Sequence, residues 1–235
     1  MKAGIIAAGK GERILRRGIS TPKPLIPLGG EPLIARAIRA ATHVKASSIT
    51  CIVNDLNPSI ADYLRSRTWP IPLEIITKTT DNSMESLFSL APFLRDAPFL
   101  LLTVDAVFRF KTLERFLKKA RGLKDAQGVL ALTRFIDDDK PLWVRMDARK
   151  KIVAMGDDAR PSPYVTAGFY YFAPDVFTMI DAARVRTMNG LRQFLGLLTE
   201  RGFSLYGIPV AKTLDVDYPE DIEKAERFLR EAGEA

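Results

Sequence analysis

The chain has 235 residues, with 35 Lys and Arg against 28 Asp and Glu for a formal net charge of +7, and 47% of its residues are hydrophobic. That balance excludes a disordered, collagen-like or coiled-coil chain, and the length suffices to bury a core without covalent staples. A single Cys, Cys51, and a single His, His43, exclude an intrachain disulfide, a thiolate cluster and a multi-histidine zinc site and leave one candidate for a Ser-His or Cys-His mechanism; if the chain is an enzyme, carboxylates, Lys, Arg, backbone amides and a hard metal ion are the expected catalytic groups.

Apolar runs alternate with amphipathic stretches, the pattern of an α/β fold. Lys2–Ala8 reads as a buried strand. Pro32–Val44 reads as a helix with Leu33, Ile34, Ala37, Ile38 and Ala41 on one face, and Ile49–Val53 as a strand ended by Asn54-Asp55. Pro58–Arg67 follows as a helix, Leu73–Thr77 as a strand, and Ser83–Arg95 as a helix with Met84, Leu87, Phe88 and Ala91 at helical spacing. Phe99–Val104 is almost entirely apolar, as a strand at the centre of a parallel sheet is. Thr112–Arg121 is a basic amphipathic helix.

The middle changes character. Gly128–Thr133, Leu142–Asp147, Ile152–Ala154 and the aromatic Tyr164–Phe172 read as strands of an antiparallel or mixed part of the sheet. Pro174–Ala183 and Leu191–Glu200 read as helices, Phe203–Pro209 as a strand, and Pro219–Ala232 as a closing helix with Pro in its first turn. No internal repeat or low-complexity linker marks a domain boundary, so one domain over 1–235 is expected.

The N-terminal stretch MKAGIIAAGKGER is broken by glycines and too short for a signal or membrane segment. With one unpaired Cys, a cytoplasmic protein without a membrane partner is expected. The basic residues are scattered in short pairs such as Arg16-Arg17 and Lys118-Lys119, which favours anionic small molecules over nucleic acid.

The strongest local signal is Ala7-Ala8-Gly9-Lys10-Gly11-Glu12-Arg13, followed by Thr21-Pro22-Lys23-Pro24. A buried strand ends in small residues, and two glycines let backbone N–H groups approach an anion. Lys10, Arg13 and Lys23 add positive charge, and Lys23 stands on a loop where its stem is expected to pack little. The loop is not a P-loop, because Gly11 stands where Ser or Thr should be. Nor is it a dinucleotide fingerprint, because Ile14 replaces the third Gly and Arg16–Pro27 is a poor helix.

AAGKGERI followed by PKPLIPLGGEPLI resembles the nucleotidyltransferase superfamily, which makes nucleoside-diphosphate sugars and alcohols. The resemblance implies a three-layer Rossmann-like, GT-A-like domain with a mostly parallel mixed sheet. It also implies a nucleotide-binding half over 1–125 and an acceptor-binding half over 126–235. By the same resemblance, Ala7, Ala8, Gly9, Lys10 and Gly11 bind the nucleotide, Arg13 contacts the β- and γ-phosphates, and Lys23 contacts the α-phosphate. Fixed cations there would stabilise the charge that gathers in the transition state.

Asp105 ends the apolar strand, at the edge where open α/β sheets bind ligands. The resemblance makes it a magnesium ligand, although Val104 stands where the superfamily has Gly; the alternative is a cap for the next helix. Asp215-Val216-Asp217-Tyr218-Pro219-Glu220-Asp221 resembles the element that supplies the second ligand. Asp217 is favoured there and Asp215 is the alternative; Asp217 also suits a helix N-cap. Two Asp from distant segments fit magnesium, which needs one or two carboxylates plus phosphate oxygens. Asp137-Asp138-Asp139 and Asp157-Asp158 read as solvated turns, His43 has no catalytic role, and Cys51 is buried mid-strand.

Asn82 and Ser83 open the helix from which related enzymes read the base, and Ser83 is a base contact or an N-cap. The Asn-Ser-x-x-Ser-Leu pattern resembles cytidylyltransferases for phosphorylated alcohols, so CTP is the favoured donor, with UTP or dTTP next. Thr166 and Gly168 match the acceptor strand, with Thr166 in place of Asn. The Glu-Lys pair of many sugar enzymes is missing at Ile152–Gly156. The implied partners are a nucleoside triphosphate and a phosphorylated sugar or alcohol, with release of pyrophosphate. The rivals are a catalytically silent regulatory domain of the same fold and a GT-A glycosyltransferase; the latter has no need of Lys23.

Overall fold

The computed structural model describes residues 1–136 and 141–234, so Asp137-Asp138-Asp139 lie outside the described residues. In chain order the strands are β1 (Lys2–Ala7), β2 (Pro27–Leu28), β3 (Glu31–Pro32), β4 (Ile49–Val53), β5 (Leu73–Thr77), β6 (Phe99–Thr103), β7 (Ala106–Val107), β8 (Gly128–Thr133), β9 (Val144–Met146), β10 (Ile152–Met155), β11 (Val165–Phe172), β12 (Leu205–Pro209) and β13 (Leu214–Asp215). The α-helices are α1 (Glu12–Arg16), α2 (Leu33–His43), α3 (Pro58–Arg65), α4 (Ser83–Leu94), α5 (Phe110–Ala120), α6 (Ile180–Val185), α7 (Leu191–Glu200) and α8 (Pro219–Arg230).

A seven-stranded sheet in the order β12-β8-β11-β6-β1-β4-β5 forms the middle layer. All neighbours pair in parallel except β11, which runs antiparallel to both β6 and β8. The mixed character read from the aromatic stretch is therefore this one strand, wedged into an otherwise parallel sheet; β9 and β10 form a separate two-stranded sheet.

Alternate side chains of each central strand face opposite layers, as a two-residue period requires. Ile5, Leu100 and Leu102 join the apolar faces of α2, α3, α5 and α8 in one core. Ile6, Phe99 and Leu101 join those of α4, α6 and α7 in the other. The result is the three-layer α/β architecture. Among the described residues, no helix is long and apolar enough to cross a membrane.

Local differences from the sequence reading have local causes. Glu12–Arg16 is helical because Gly11 takes a left-handed conformation at its start, φ 65°, and buried Ile14 anchors it to the core. Helix α5 begins at Phe110, two residues early, because the Glu234 carboxylate accepts a hydrogen bond from the Phe110 N–H at 3.1 Å. The segment expected as one helix from Pro174 is a 3-10 turn over Pro174–Met179 followed by α6.

From β1 the chain crosses first to β4 and β5, then returns to the opposite side of β1 at β6. The carboxyl ends of β1 and β6 thus flank a topological switch point, where open α/β sheets leave a crevice.

Candidate active site

A cleft of about 600 Å³ opens at that switch point. The loop leaving β1 forms one wall with Ala7, Ala8, Gly9, Lys10 and Gly11. The left-handed backbone of Gly11 brings the loop against Lys23; a Cβ there would stand 3.0 Å from the Lys23 Cβ. Asn54, only 1% exposed, supports the loop from behind. Its amide donates to the Gly9 carbonyl at 3.1 Å, while its carbonyl accepts from the Asn57 N–H at 3.0 Å. Sequence reading took Asn54 only as the end of a strand, and its residue type is the one signal of the support role.

Lys23 and two carboxylates meet on the cleft floor. The Lys23 Nζ lies 2.8 Å from Asp105 Oδ2 and 2.7 Å from Asp217 Oδ1, and Arg13 donates to Asp217 Oδ2 at 2.5 Å. The short β7–β13 pair brings these distant segments together: Asp215 sits opposite Ala106, and the Val216 N–H donates to the Asp105 carbonyl at 3.1 Å. Lys23 was expected to pack little; its side chain is instead 12% exposed, because the loop and both carboxylates close over it.

Burial disfavours the charge on Lys23, but the Asp105 and Asp217 carboxylates outweigh it and hold the ammonium above its ordinary range. Burial pushes Asp105 upward, yet Lys23, with hydrogen bonds from Lys23 and Thr103, keeps its carboxyl below the ordinary value. Both side chains are therefore charged at neutral pH.

The capping alternatives for the two Asp do not hold. Asp105 bonds Lys23, and the next helix has Arg109 at its N-cap without a side-chain bond. At α8 the capping carboxylate is Asp221, whose Oδ2 accepts from the Asp217 N–H at 3.2 Å and the Tyr218 N–H at 2.9 Å. The Asp217 carboxylate is thus left to face Lys23 and Arg13. Asp215 also lines the cleft.

Thr80, Asp81, Asn82 and Ser83 border the cleft at the start of α4. The N-cap is Asn82, whose side chain accepts from the Met84 and Glu85 N–H groups at 3.0 and 3.1 Å. Ser83 is not the cap: its hydroxyl accepts from the Leu191 N–H at 3.0 Å and ties α4 to the start of α7. Thr166, Gly168, Tyr170 and Arg192 form the remaining wall. The Gly168 backbone is left-handed, φ 77°, and a Cβ there would lie 2.4 Å from the Ala106 Cβ. Packing against β7 is thus sufficient reason for a glycine at this position. Arg192 was missed in sequence reading, since nothing before folding distinguishes it from other helix-surface arginines.

Asp157 and Asp158 lie in an exposed 3-10 turn, with Asp157 near Arg160. His43 lies outside the cleft, 3.0 Å from Glu114. Cys51 is fully buried, and burial pushes its thiol up to about 12.

The chain is 25% identical over 238 residues to the bifunctional protein GlmU of Methanocaldococcus jannaschii, covering 97% of this chain and 54% of that protein. The chain thus spans about half the length of that relative. It is 22% identical to the UTP–glucose-1-phosphate uridylyltransferase AglF of Haloferax volcanii, over 98% of this chain and 97% of that one. The fold superimposes on the inositol-1-phosphate CTP transferase from T. maritima with a TM-score of 0.81 at 17% identity, covering 98% and 96% of the two chains. The MobA-like NTP transferase domain model matches residues 3–167. The chain belongs to that family of nucleotidyltransferases.

Proposed function

We propose that the chain transfers a nucleoside monophosphate from a nucleoside triphosphate, CTP first and UTP or dTTP next, to a phosphorylated sugar or alcohol, releasing pyrophosphate. The observation that carries this reading is the meeting of Lys23 and Arg13 with Asp105 and Asp217 beside the glycine loop. A polyphosphate needs fixed cations, and the carboxylates keep those cations charged and in place.

A phosphate oxygen of the acceptor attacks the α-phosphorus in line. The bond from the α-phosphorus to the bridging oxygen breaks, and pyrophosphate leaves with the electron pair. The attacking oxygen is already ionised, so no general base is needed, and the protein supplies position and charge. Lys23 takes the α-phosphate oxygens, Arg13 the departing pyrophosphate, and the amides from Ala8 to Gly11, with Lys10, the rest of the nucleotide. Residues 1–125 carry the nucleotide contacts and residues 126–235 the acceptor contacts, with Thr166 and Gly168 on the acceptor side. The Ser83 hydroxyl accepts one hydrogen bond and retains its proton to donate to a base. Asp81 offers an acceptor for an exocyclic amine, which cytosine carries and uracil and thymine lack.

Asp105 and Asp217 fit magnesium. Both are hard oxygen donors, and their carboxylates converge on one ammonium at 2.8 and 2.7 Å, close enough to share a single cation. These two would hold the ion, with Asp215 the alternative second ligand. Magnesium bound there supplies charge neutralisation at the phosphate oxygens.

The test is a matrix of nucleoside triphosphates against phosphorylated sugars and alcohols, scored by pyrophosphate release. Release with CTP and an alcohol phosphate is expected. A folded protein that releases none with any pair would refute the reading.

A further inference from the structure

We propose that Asn54 is a positioning residue for the nucleotide: it turns the Gly9–Lys10 peptide so that the Lys10 N–H faces the cleft and donates to a phosphate oxygen; the inference rests on the nucleotidyl-transfer reading above. Asn54 follows β4, whose last residue, Val53, pairs with Ala7 of β1, so Asn54 and the glycine loop leave the sheet side by side. The Asn54 side chain is buried, and its two ends bond different partners. Oδ1 accepts from the Asn57 N–H at 3.0 Å and from the Asn57 side-chain amide at 3.3 Å. These two donors fix the amide, with its oxygen towards Asn57 and its nitrogen towards the Gly9 carbonyl at 3.1 Å. The plainer role for Asn54 is to close the turn that enters α3. That role accounts for the oxygen, and an Asp would fill it as well. It does not account for the nitrogen, which reaches 45 residues back along the chain.

The nitrogen has a consequence for the loop. Among the described residues the one cis peptide is Arg160-Pro161, so Gly9–Lys10 is trans. In a trans peptide the C=O and the N–H point in opposite directions. Asn54 draws the Gly9 carbonyl out of the cleft, and the Lys10 N–H is thereby aimed into it. Among the described residues, no group accepts from that N–H. The front of the peptide is also bare. The Gly9 backbone is not left-handed, and a Cβ there would meet nothing within 4 Å. Neither strain nor packing within the chain therefore calls for glycine at this position; what its missing side chain leaves is open space where the loop lines the cleft. An aimed donor with clear space before it suits a close-approaching anion. Holding the carbonyl from behind also prevents the peptide from presenting its oxygen to that anion, so the turn is set before the nucleotide arrives.

The experiment is steady-state pyrophosphate release by wild type and Asn54→Asp at pH 8.5, well above the ordinary carboxyl value, with nucleotide and acceptor varied in turn. Asp keeps the acceptor for Asn57 and loses the donor to Gly9. The nucleotide KM is expected to rise about 10- to 100-fold, the range of one lost hydrogen bond that leaves a polar group unpaired. The acceptor KM should stay within about twofold, as for a group that acts only on the other substrate. A lower melting temperature is expected in the variant, since a carboxylate replaces a buried amide, and stability therefore does not read the role. A second measurement uses wild type alone, and so does not depend on the variant folding. In 15N-labelled protein with magnesium, the Lys10 amide proton should move downfield on titration with CTP, UTP or dTTP, whichever the enzyme uses. A nucleotide KM within twofold of wild type, equal rises in both KM values, or a Lys10 amide that does not move at saturating nucleotide would each overturn the assignment and leave the reaction standing. Wild type inactive with every pair would overturn the reaction, and the assignment with it.

Discussion

Replacing Lys23 by Met tests the cluster on the cleft floor, because it keeps much of the stem and deletes the charge. Removing one partner of a buried ion pair costs about 3–5 kcal/mol. The Asp105 and Asp217 side chains are 31% and 27% exposed, so water compensates part of that, and the cost falls to about 2 kcal/mol. For a chain of this size the melting temperature should drop by about 4–8 °C. The two carboxylates left behind repel each other and can share a divalent cation. Magnesium at a hundredfold over its dissociation constant would return about 2.7 kcal/mol, so the variant should regain stability in magnesium. Wild type should respond less, because its ammonium already stands between the carboxylates. The pH dependence follows the directions of the shifts. The Asp105 contribution is complete above the ordinary carboxyl value of 3.8 and is lost as pH falls through its lower folded value. The Lys23 contribution is complete below 10.5 and is lost only as pH rises through its higher folded value. In the variant, burial and the neighbouring carboxylate push Asp105 up instead, so the stability gap between the two proteins should widen as pH rises from the carboxyl range towards neutrality and narrow only in alkali. Scanning calorimetry of both proteins, in magnesium chloride and in EDTA, measures all of this. A variant as stable as wild type in EDTA, or one no more responsive to magnesium, would refute the argument.

Asp217→Asn should lower turnover about 100-fold, the scale of a lost charge contact in a transition state, while α8 stays intact because Asp221 provides its cap. Asp215→Asn should cost less; pyrophosphate-release kinetics across magnesium concentration compare the two. Gly168→Ala forces a side chain into a left-handed backbone against Ala106, and urea denaturation should show a loss of about 2–4 kcal/mol. Cys51, buried and with its thiol pushed up to about 12, should resist iodoacetamide at neutral pH until the protein unfolds, as mass spectrometry would show.

Much of the sheet was legible because its strands are short apolar runs and its helices show one apolar face. Phe99–Thr103 reads as a central strand from composition alone, and α2 from its five-residue apolar face. What local pattern cannot carry is pairing over distance. The insertion of β11 between β6 and β8 depends on which edges meet, and the early start of α5 depends on Glu234, which lies 124 residues away. The site divides the same way. The loop and the Pro-Lys-Pro segment were visible as residue types at fixed spacing. The contacts of Lys23 span 82 and 194 positions, and the two-residue strands β7 and β13 that create them are too short to leave a periodic signal. Asn54 and Arg192 gain their positions only from packing.

The charges on the cleft floor balance without a ligand: Lys23 and Arg13 face Asp105 and Asp217. This balance lets a buried ammonium exist at all, since an unpaired one would lose its proton or destabilise the fold. It also fixes Lys23 before any phosphate arrives, so little side-chain freedom remains to be lost on binding. In the proposed reaction an incoming polyphosphate would compete with the carboxylates for the same cations. Each phosphate oxygen that takes a contact from Lys23 or Arg13 leaves negative charge behind on Asp105 and Asp217. A divalent cation shared by those carboxylates and the phosphates would restore neutrality, so nucleotide and metal should each tighten the other's binding by the same factor. On the proposed reading the same four side chains would serve as a structural clamp in one state and as a phosphate site in the other, so stability and turnover should both respond at Lys23, yet only stability should be recoverable with magnesium alone.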